Sequence, residues 1–212
     1  MSTTAVRGEE TRQRLLDAAI RLFAADGFAK VTVRDICRAA ETNVAAVNYH
    51  YGDKFGLYMA VVRAAVDAMW TLNDLAMQGD SRVPEERLRQ YVGTYVAKLI
   101  EAKGPANWIH RLMQHEMAEP TPAAEWIVEH AILPRLRYLA GILAELLNVP
   151  ATDERVRWCV VMIQSQCLSF LPNGIRSLAT RDWPAITPTG VEAIVDHIMT
   201  FSLAGIRALA RP

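Results

Sequence analysis

Small and polar side chains lie side by side between residues 41 and 54, in the stretch ETNVAAVNYHYGDK. The amide of Asn48 can pair with the edge of an adenine, and the small Ala45 and Ala46 allow base edges and thymine methyl groups to come close. The side chains with the reach and the donors for phosphates are Tyr49, His50 and Lys54, and those that can add hydroxyl or amide contacts are Thr42 and Asn43. These residue types at this spacing favour a surface that contacts a nucleic acid.

Two short helices joined by a tight turn are predicted around this stretch. Thr32 and Asp35 have the spacing of a capping box that begins a helix ending near Ala40. The second short helix covers about 43–50. Such a pair forms a helix-turn-helix, whose second helix can enter the major groove of DNA. The same geometry also occurs in folds that bind no DNA, so a small-residue helix packed on a neighbour is the alternative at this point.

A longer helix is predicted on each side of this pair. The first covers about 10–26, and Gly27 suits the left-handed position after its last turn. Asp53 is predicted to cap the other, which runs to about residue 77. Val47 should be the inward anchor of the second short helix. The long helices therefore brace the pair that carries the candidate contacts.

The rest of the chain also has helical spacing. No segment is predicted as a strand, because apolar residues do not alternate and no Asn-Gly or Asp-Gly hairpin signal occurs. Further helices are predicted over 84–103, 106–119, 122–147, 153–178 and 188–210. Pro134 and Pro172 lie inside two of these and should kink or split both. We expect an all-α protein with a helix-turn-helix domain over 1–54 and a larger helical domain over 55–212.

The charge balance limits the class of partner. The 212 residues hold 23 basic and 23 acidic side chains, so the formal net charge is zero. No long-range field marks the chain as a general binder of polyanions or membranes, and any nucleic-acid site must be local. Neither a signal peptide nor a bilayer-spanning run is recognisable, which predicts a cytoplasmic protein. Cys37, Cys159 and Cys167 lack metal-site spacing and are interpreted as reduced core thiols, with a redox sensor as the alternative.

Two sets of residues could suggest other chemistry. His115 and Glu119 lie one helical turn apart, as metal ligands do, but no His-Glu-x-x-His motif and no cysteine pair completes a site. The group Ser165, Ser169 and His197 offers a nucleophile and a base, but neither serine lies in a Gly-x-Ser-x-Gly elbow. We therefore expect no enzymatic activity, no metal and no cofactor.

The N-terminal residues resemble a known family. The stretch TRQRLLDAAIRLFAADGFAKVTVRDICRAA, followed by NVAAVNYHYGDKFGLY, is similar to the DNA-binding domain of the TetR/AcrR family of bacterial transcriptional regulators over about residues 11–61. The specific motifs are Phe-x-x-x-Gly-Phe, Thr-x-Arg-x-Ile and Tyr-x-Tyr-x-x-Lys, at the end of the first helix, the start of the second and the end of the third. The resemblance implies DNA contacts from Thr32, Val33, Arg34, Val44, Ala45, Ala46, Asn48, Tyr49, His50 and Lys54.

The turn departs from the family pattern. It usually has a glycine where this chain has Glu41. If that position needs a positive φ, a glutamate there costs on the order of 1 kcal/mol. Together with the neutral N-terminal domain, this residue leaves an alternative open: a helical small-molecule-binding protein, or an enzyme, that has lost DNA binding.

The C-terminal stretches LMQHEMAEPTPAAEWIVEHAILPRLRYLAGILAELL, MIQSQCLSFLPNGI and HIMTFSLAGIRAL resemble the C-terminal domain of the CecR/CerR-like branch of that family. The resemblance implies a homodimer and a small-molecule effector. Candidate residues for lining an effector pocket are Trp108, Met113, Trp126, Met162, Gln166 and Phe170. Met and Trp at helical spacing are, however, more often ordinary core.

The last two predicted helices carry apolar stripes wider than a monomer surface should show. The residues concerned are Val156, Val160, Ile163, Cys167 and Phe170, with Ile194, Ile198 and Phe201. We predict that these stripes are the dimer faces and form an intersubunit four-helix bundle. The sequence as a whole predicts a dimeric, ligand-responsive transcriptional repressor that binds double-stranded operator DNA.

Overall fold

A computed structural model of the chain describes residues 3–77, 83–101, 107–170 and 190–210. Every regular element in these ranges is helical, as predicted. The elements are α1 Thr3–Lys30, α2 Val33–Ala39, α3 Val44–Tyr51, α4 Lys54–Met77, α5 Pro84–Glu101, α6 Asn107–Ala118, α7 Ala123–Ile127, a π-helical segment Val128–Ile132, α8 Leu133–Leu147, α9 Glu154–Leu168 and α10 Val191–Leu209.

The contacts divide the chain into two compact units. The first comprises Met1–Met69 with Gly104–Ala131, and the second comprises Trp70–Lys103 with Ile132–Pro212. The first unit therefore contains the helix-turn-helix together with α6 and α7. The predicted functional domains, 1–54 and 55–212, stay a prediction, because a division by contacts does not test a division by function.

The local start signals of α2 and α4 are confirmed. Thr32 accepts the backbone N–H of Asp35 while the Asp35 carboxylate accepts the backbone N–H of Thr32, which is a complete capping box. Asp53 accepts the backbone N–H of Gly56 at 2.7 Å at the start of α4. A side chain at Gly56 is impossible here, because a Cβ atom would lie 2.0 Å from the carbonyl oxygen of Tyr51.

Helix α1 starts earlier than predicted, at Thr3 rather than at residue 10. Its first turns are polar, so apolar periodicity gives no signal there. From Arg7 onward, side-chain hydrogen bonds link neighbouring turns, from Arg12 to the Glu9 carboxylate at 2.9 Å and from the Thr11 hydroxyl to the backbone carbonyl of Arg7 at 3.0 Å. Hydrogen bonding between neighbouring turns thus extends the helix beyond its packed part.

Gly27 interrupts α1 at the predicted place. Its φ is positive, as expected, but its ψ of 170° is extended, so the chain changes direction and then resumes one more helical turn. A Cβ atom at this position would lie only 3.0 Å from Nδ1 of His115 on α6. Backbone conformation and the close approach of α6 therefore both require glycine here.

The first unit packs α1 against α6 around a core of aromatic and aliphatic side chains. Phe23 and Tyr58 meet edge to face with ring centroids 4.9 Å apart. The Tyr58 hydroxyl donates to the buried carboxylate of Glu116, which also accepts the backbone N–H of Thr121 at 3.2 Å and its hydroxyl at 2.8 Å. Glu116 is thus a satisfied core carboxylate that joins α4 to α6. Among the described residues, no three His, Cys, Asp or Glu side chains form a group that could hold a metal.

The second unit packs α5, α8, α9 and α10 around one apolar core. Five residues of the predicted dimer stripes belong to this core: Val156, Ile163, Cys167, Ile194 and Ile198. The prediction that they form a dimer face is therefore wrong, because helices of the same chain cover them. Val160 and Phe170 pack partly against the same core, whereas Phe201 is 69% exposed.

The predicted break at Pro134 is confirmed. The region 122–147 is divided into α7, the π-helical segment and α8, with Pro134 in the first turn of α8. Proline lacks the N–H that would bond the carbonyl four residues earlier, so the regular α-helical hydrogen bonding is interrupted here. The predicted helix ends at 103 and 178, the starts at 106 and 188 and the kink at Pro172 lie outside the described residues.

All three cysteine side chains are buried. Burial raises the pKa of the Cys167 thiol to about 12 and raises the pKa of the other two thiols as well. Their thiolate forms are therefore rare at neutral pH, in agreement with core thiols. In the described part of the chain, no helix is long and apolar enough to cross a membrane.

Candidate functional site

The turn between α2 and α3 has the hydrogen bonds of a Schellman motif. The N–H of Thr42 donates to the carbonyl of Cys37 at 3.0 Å, and the N–H of Glu41 donates to the carbonyl of Arg38 at 3.4 Å. Glu41 has a φ of 51°, so the position does need the left-handed conformation that a glycine adopts without strain. The chain adopts the turn despite a local cost of roughly 1 kcal/mol.

Helix α3 begins with a capped first turn. The side-chain oxygen of Asn43 accepts the backbone N–H of Ala46 at 3.0 Å. The cap uses only the side-chain oxygen of Asn43, so its amide N–H groups stay available for the predicted contact, whereas the Thr32 hydroxyl is engaged in the capping box of α2. Both caps fix the helix N-termini, which carry partial positive charge and favour a nearby phosphate.

The two faces of α3 differ sharply in exposure. Val47 is fully buried, as predicted, and anchors the helix in the first unit. The outward face presents Val44, Ala45, Asn48 and Tyr49, and the Tyr49 ring is 84% exposed. Four predicted contact residues thus lie on one exposed helical face with small or hydrogen-bonding side chains. Such a face can approach base edges closely.

The other predicted contact residues flank this face. Thr32 and Arg34 are exposed in and before the first turn of α2, and Val33 is half-buried. The residues Thr42, Ala46, His50 and Lys54 are half-buried. The Lys54 ammonium lies 4.3 Å from the centre of the Phe28 ring, and burial lowers its pKa. Lys54 lies at the N-terminus of α4. A phosphate there would be attracted both by the ammonium group and by the partial positive charge of the helix end.

Tyr51 is a positioning residue that the sequence analysis missed. Its hydroxyl donates to the backbone carbonyl of Arg12 at 2.8 Å and so ties the end of α3 to α1. Burial raises the pKa of Tyr51, which keeps the hydroxyl protonated as a donor. The second tyrosine of the Tyr-x-Tyr motif is the signal that could have revealed it.

The six predicted pocket residues fall into two sets. Trp108, Met113 and Trp126 are half-buried in the first unit. The Trp126 ring stacks on His130 at 4.4 Å, and the guanidinium of Arg63 lies 5.9 Å from the Trp126 ring centre. The predicted pocket members in the second unit are Met162, Gln166 and Phe170.

Within the second unit these three side chains have different surroundings. Met162 is 56% exposed, Gln166 donates to the Ser202 hydroxyl at 3.2 Å, and Phe170 packs on the apolar core. Sequence reasoning missed Gln164, the buried glutamine of α9, whose amide donates to the Tyr91 hydroxyl. It also missed the buried Nε2 of His110, which has no hydrogen-bond partner among the described residues.

A capped helix-turn-helix with an exposed reading face, in an all-helical chain, defines the class of helix-turn-helix DNA-binding regulators. Comparison with family models narrows this class. Residues 15–61 match the model "Bacterial regulatory proteins, tetR family", and residues 84–206 match the model "HTH-type transcriptional dual regulator CecR, C-terminal domain". The second match covers more than half of the chain, so the protein belongs to the TetR family of transcriptional regulators and has a CecR-type C-terminal domain.

Individual relatives agree with this assignment. The HTH-type transcriptional dual regulator CecR of Shigella flexneri is 24% identical over 198 residues, which cover 89% of this chain and 88% of that protein. The HTH-type transcriptional regulator SrpR of Pseudomonas putida is 41% identical over 59 residues, 28% of each chain.

Solved structures share the fold. HlyIIR, a hemolysin II transcriptional regulator, superimposes with a TM-score of 0.61 at 20% identity, covering 90% of this chain and 97% of that chain. The fatty acid degradation regulator FadR from Bacillus halodurans gives a TM-score of 0.62 at 16% identity, covering 93% and 96%.

Proposed function

We propose that this TetR-family regulator is a repressor that leaves its operator when it binds a small molecule. The exposed face of α3 is the observation that carries the proposal. This face exposes Asn48 and Tyr49 beside Ala45. The cap at the start of α3 and the hydrogen bond from Tyr51 to α1 fix its position. Such a face suits the major groove of double-stranded DNA. A regulator that binds operator DNA in a bacterium works in the cytoplasm.

Each DNA contact has a proposed role. Asn48 reads an adenine edge, and Ala45 allows the approach to bases and thymine methyl groups. Contacts to phosphates come from Arg34, Tyr49, His50 and Lys54, and the remaining predicted residues of α2 and α3 line the same surface. With little net charge in this domain, local cations and helix N-termini supply the attraction.

The homodimer is proposed to form through α9 and α10. The side of α9 that faces away from the core exposes Trp158, Val161, Met162 and Leu168, and α10 exposes Phe201. This set of exposed apolar side chains is larger than scattered surface residues would give, which supports an interface between copies. A two-fold dimer would place two α3 helices about 34–36 Å apart on a near-palindromic site.

The effector is proposed to act by changing the population of DNA-binding dimers, without catalysis. Two separate candidate sets of effector contacts remain, one in each unit: Trp108, Met113 and Trp126 in the first, and Met162, Gln166 and Phe170 in the second. A ligand that lowers operator affinity a hundredfold must bind the DNA-free form a hundredfold more tightly than the DNA-bound form. This preference corresponds to about 2.7 kcal/mol of coupling free energy.

Binding to DNA from upstream of the protein's own gene tests the proposal. Fluorescence anisotropy across a salt series should give a linear fall of log affinity with log salt, because bound phosphates release counterions. Lys54→Ala should flatten that slope by about one unit. Arg111→Ala, which removes an exposed cation from α6, is the matched control and should leave the slope unchanged.

Absence of binding at low salt contradicts the proposal. It supports the alternative of a helical small-molecule-binding protein or enzyme whose helix-turn-helix no longer contacts DNA, which the strained Glu41 would favour. Deleting the gene should raise transcription from the bound promoter, whereas a fall would indicate an activator.

A further inference from the structure

One side of α5 in the second unit carries an unusual set of hydrogen-bond donors. Tyr91, Tyr95 and Lys98 recur at the spacing of one helical face, next to Arg135 of α8. Gln164 of α9 completes the group, which we term the donor cluster. All five side chains are buried or half-buried.

Arg135 is the central member of the donor cluster. Its guanidinium lies over the Tyr95 ring, 4.3 Å from the ring centre. Its Nε atom is buried and has no hydrogen-bond partner among the described residues, and no carboxylate of those residues forms an ion pair with it. Nothing in the described chain therefore satisfies the in-plane donors that suit a carboxylate.

Tyr91 adds a second donor. The ring is 3% exposed, and its oxygen accepts the amide N–H of Gln164, so the hydroxyl proton is left to donate elsewhere. No described residue accepts that proton. Burial raises the pKa of Tyr91, so the phenol stays neutral and remains a donor at physiological pH.

Lys98 adds a second cation close to the first. Burial, and then the charge of Arg135, lower the pKa of Lys98 to about 8. Arg135 and Tyr91 thus present a guanidinium and a phenol proton side by side, with Lys98 as a basic neighbour. The chemical complement of these donors is an acceptor with negative charge.

We propose that the donor cluster binds the carboxylate of a small organic anion. A planar carboxylate matches the in-plane fork of donors of Arg135, whose guanidinium lies over the Tyr95 ring. Tyr91 lies 6.2 Å from Tyr95 and 6.3 Å from Tyr138 between ring centroids, so aromatic rings flank the donors and would be the neighbours of the anion's apolar body. The further statement that this anion is the effector rests on the proposed function.

Thermal unfolding of the full chain with matched probes tests the site. Octanoate and benzoate are compared with octanamide and benzamide, which keep the shape and lose the charge, and with inorganic phosphate at equal ionic strength. At a hundred times its dissociation constant, a bound carboxylate should raise the Tm by roughly 5–10 °C. Equal shifts for amides and carboxylates, or for phosphate and carboxylates, would overturn the proposal.

Substitutions in the donor cluster test whether the carboxylate binds there. Arg135→Met should weaken carboxylate binding by roughly 10- to 100-fold, and Arg135→Lys should weaken it less. Arg137→Met, which removes an exposed charge two residues away on α8, is the matched control. If Arg135→Met does not fold, Tyr91→Phe provides the second test, since it removes only the donor hydroxyl. Unchanged affinity in the variant that folds would refute the site.

The effector role is measured separately. Adding the bound carboxylate to the protein–operator complex should release the DNA in the wild type and in Arg137→Met, but not in Arg135→Met. Carboxylate binding by a protein that never binds operator DNA would leave the site standing and refute the proposed function. Release of DNA that persists in Arg135→Met would refute the effector role of the donor cluster.

Discussion

The outward face of α3 and the outward faces of α9 and α10 are both exposed, but they have opposite chemistry. On α3 the exposed residues are small or able to form hydrogen bonds, with Asn48 and Tyr49 as the largest polar groups. On α9 and α10 they are large and apolar, with Trp158 56% and Phe201 69% exposed. A hydrated polyanion suits the first face, and another apolar protein surface suits the second. Exposure alone therefore does not define a binding surface, whereas side-chain chemistry indicates its partner.

The largest expected effect comes from giving the apolar face a charge. Phe201→Asp should disrupt the dimer, because a desolvated carboxylate in an apolar interface is costly. Operator affinity should then fall by at least about 100-fold, because two linked reading heads bind far more tightly than one. Light scattering measures the mass, and anisotropy measures the affinity.

Thr200→Asp is the matched control, since it adds the same charge at the adjacent exposed position of α10. It should leave both the mass and the affinity near wild type. A dimeric Phe201→Asp protein would show that the apolar face is not the interface.

An effect of intermediate size is expected when a side chain is removed from the exposed polar face of α3. Asn48→Ala removes one bidentate contact to a base and should cost about 1–3 kcal/mol of discrimination at one position of the operator. Affinity for unrelated DNA should change little, because phosphate contacts remain. Selection of bound sequences from a random pool measures the preference, and an unchanged preferred operator would exclude Asn48 from base reading.

The smallest effect concerns the turn that orients the polar face. Glu41→Gly should raise the free energy of unfolding by roughly 1 kcal/mol, because glycine adopts a positive φ without steric strain. Asn148 is a natural control. It has a φ of 53° in a second Schellman motif at the end of α8, and asparagine tolerates that conformation well. Urea unfolding should show a smaller change for Asn148→Gly, and equal changes would contradict the strain.

Local signals made the first unit predictable from the sequence. The capping box at Thr32, the cap at Asp53 and the break at Gly27 each depend on neighbours a few residues away, so they can be recognised without the fold. The missing glycine of the turn raised the question of a positive φ at Glu41, and the φ of 51° answers it. The polar start of α1 was missed, because its stability comes from side-chain pairs rather than from apolar spacing.

The second unit was harder to predict because α9 is apolar on both sides. Val156 and Ile163 face the core, whereas Trp158 and Met162 face outward. Periodicity shows that both sides are apolar but does not show which one the rest of the chain covers. The same ambiguity explains why Gln166 was named as a candidate pocket residue while the buried Gln164 was missed. Distant contacts made by α5 and α10 decide these cases, and a sequence pattern does not contain them.

The backbone conformation of Gly27 limits which mutations its codon tolerates. Every single-nucleotide missense change of a glycine codon introduces a Cβ atom, and a Cβ at this position would lie 3.0 Å from Nδ1 of His115. A φ of 78° with a ψ of 170° is a conformation that only glycine adopts easily, so a strain of order 1–3 kcal/mol is added to the steric conflict. No missense change of this codon should therefore be neutral for the protein, and loss-of-function alleles recovered from a genetic screen should accumulate there.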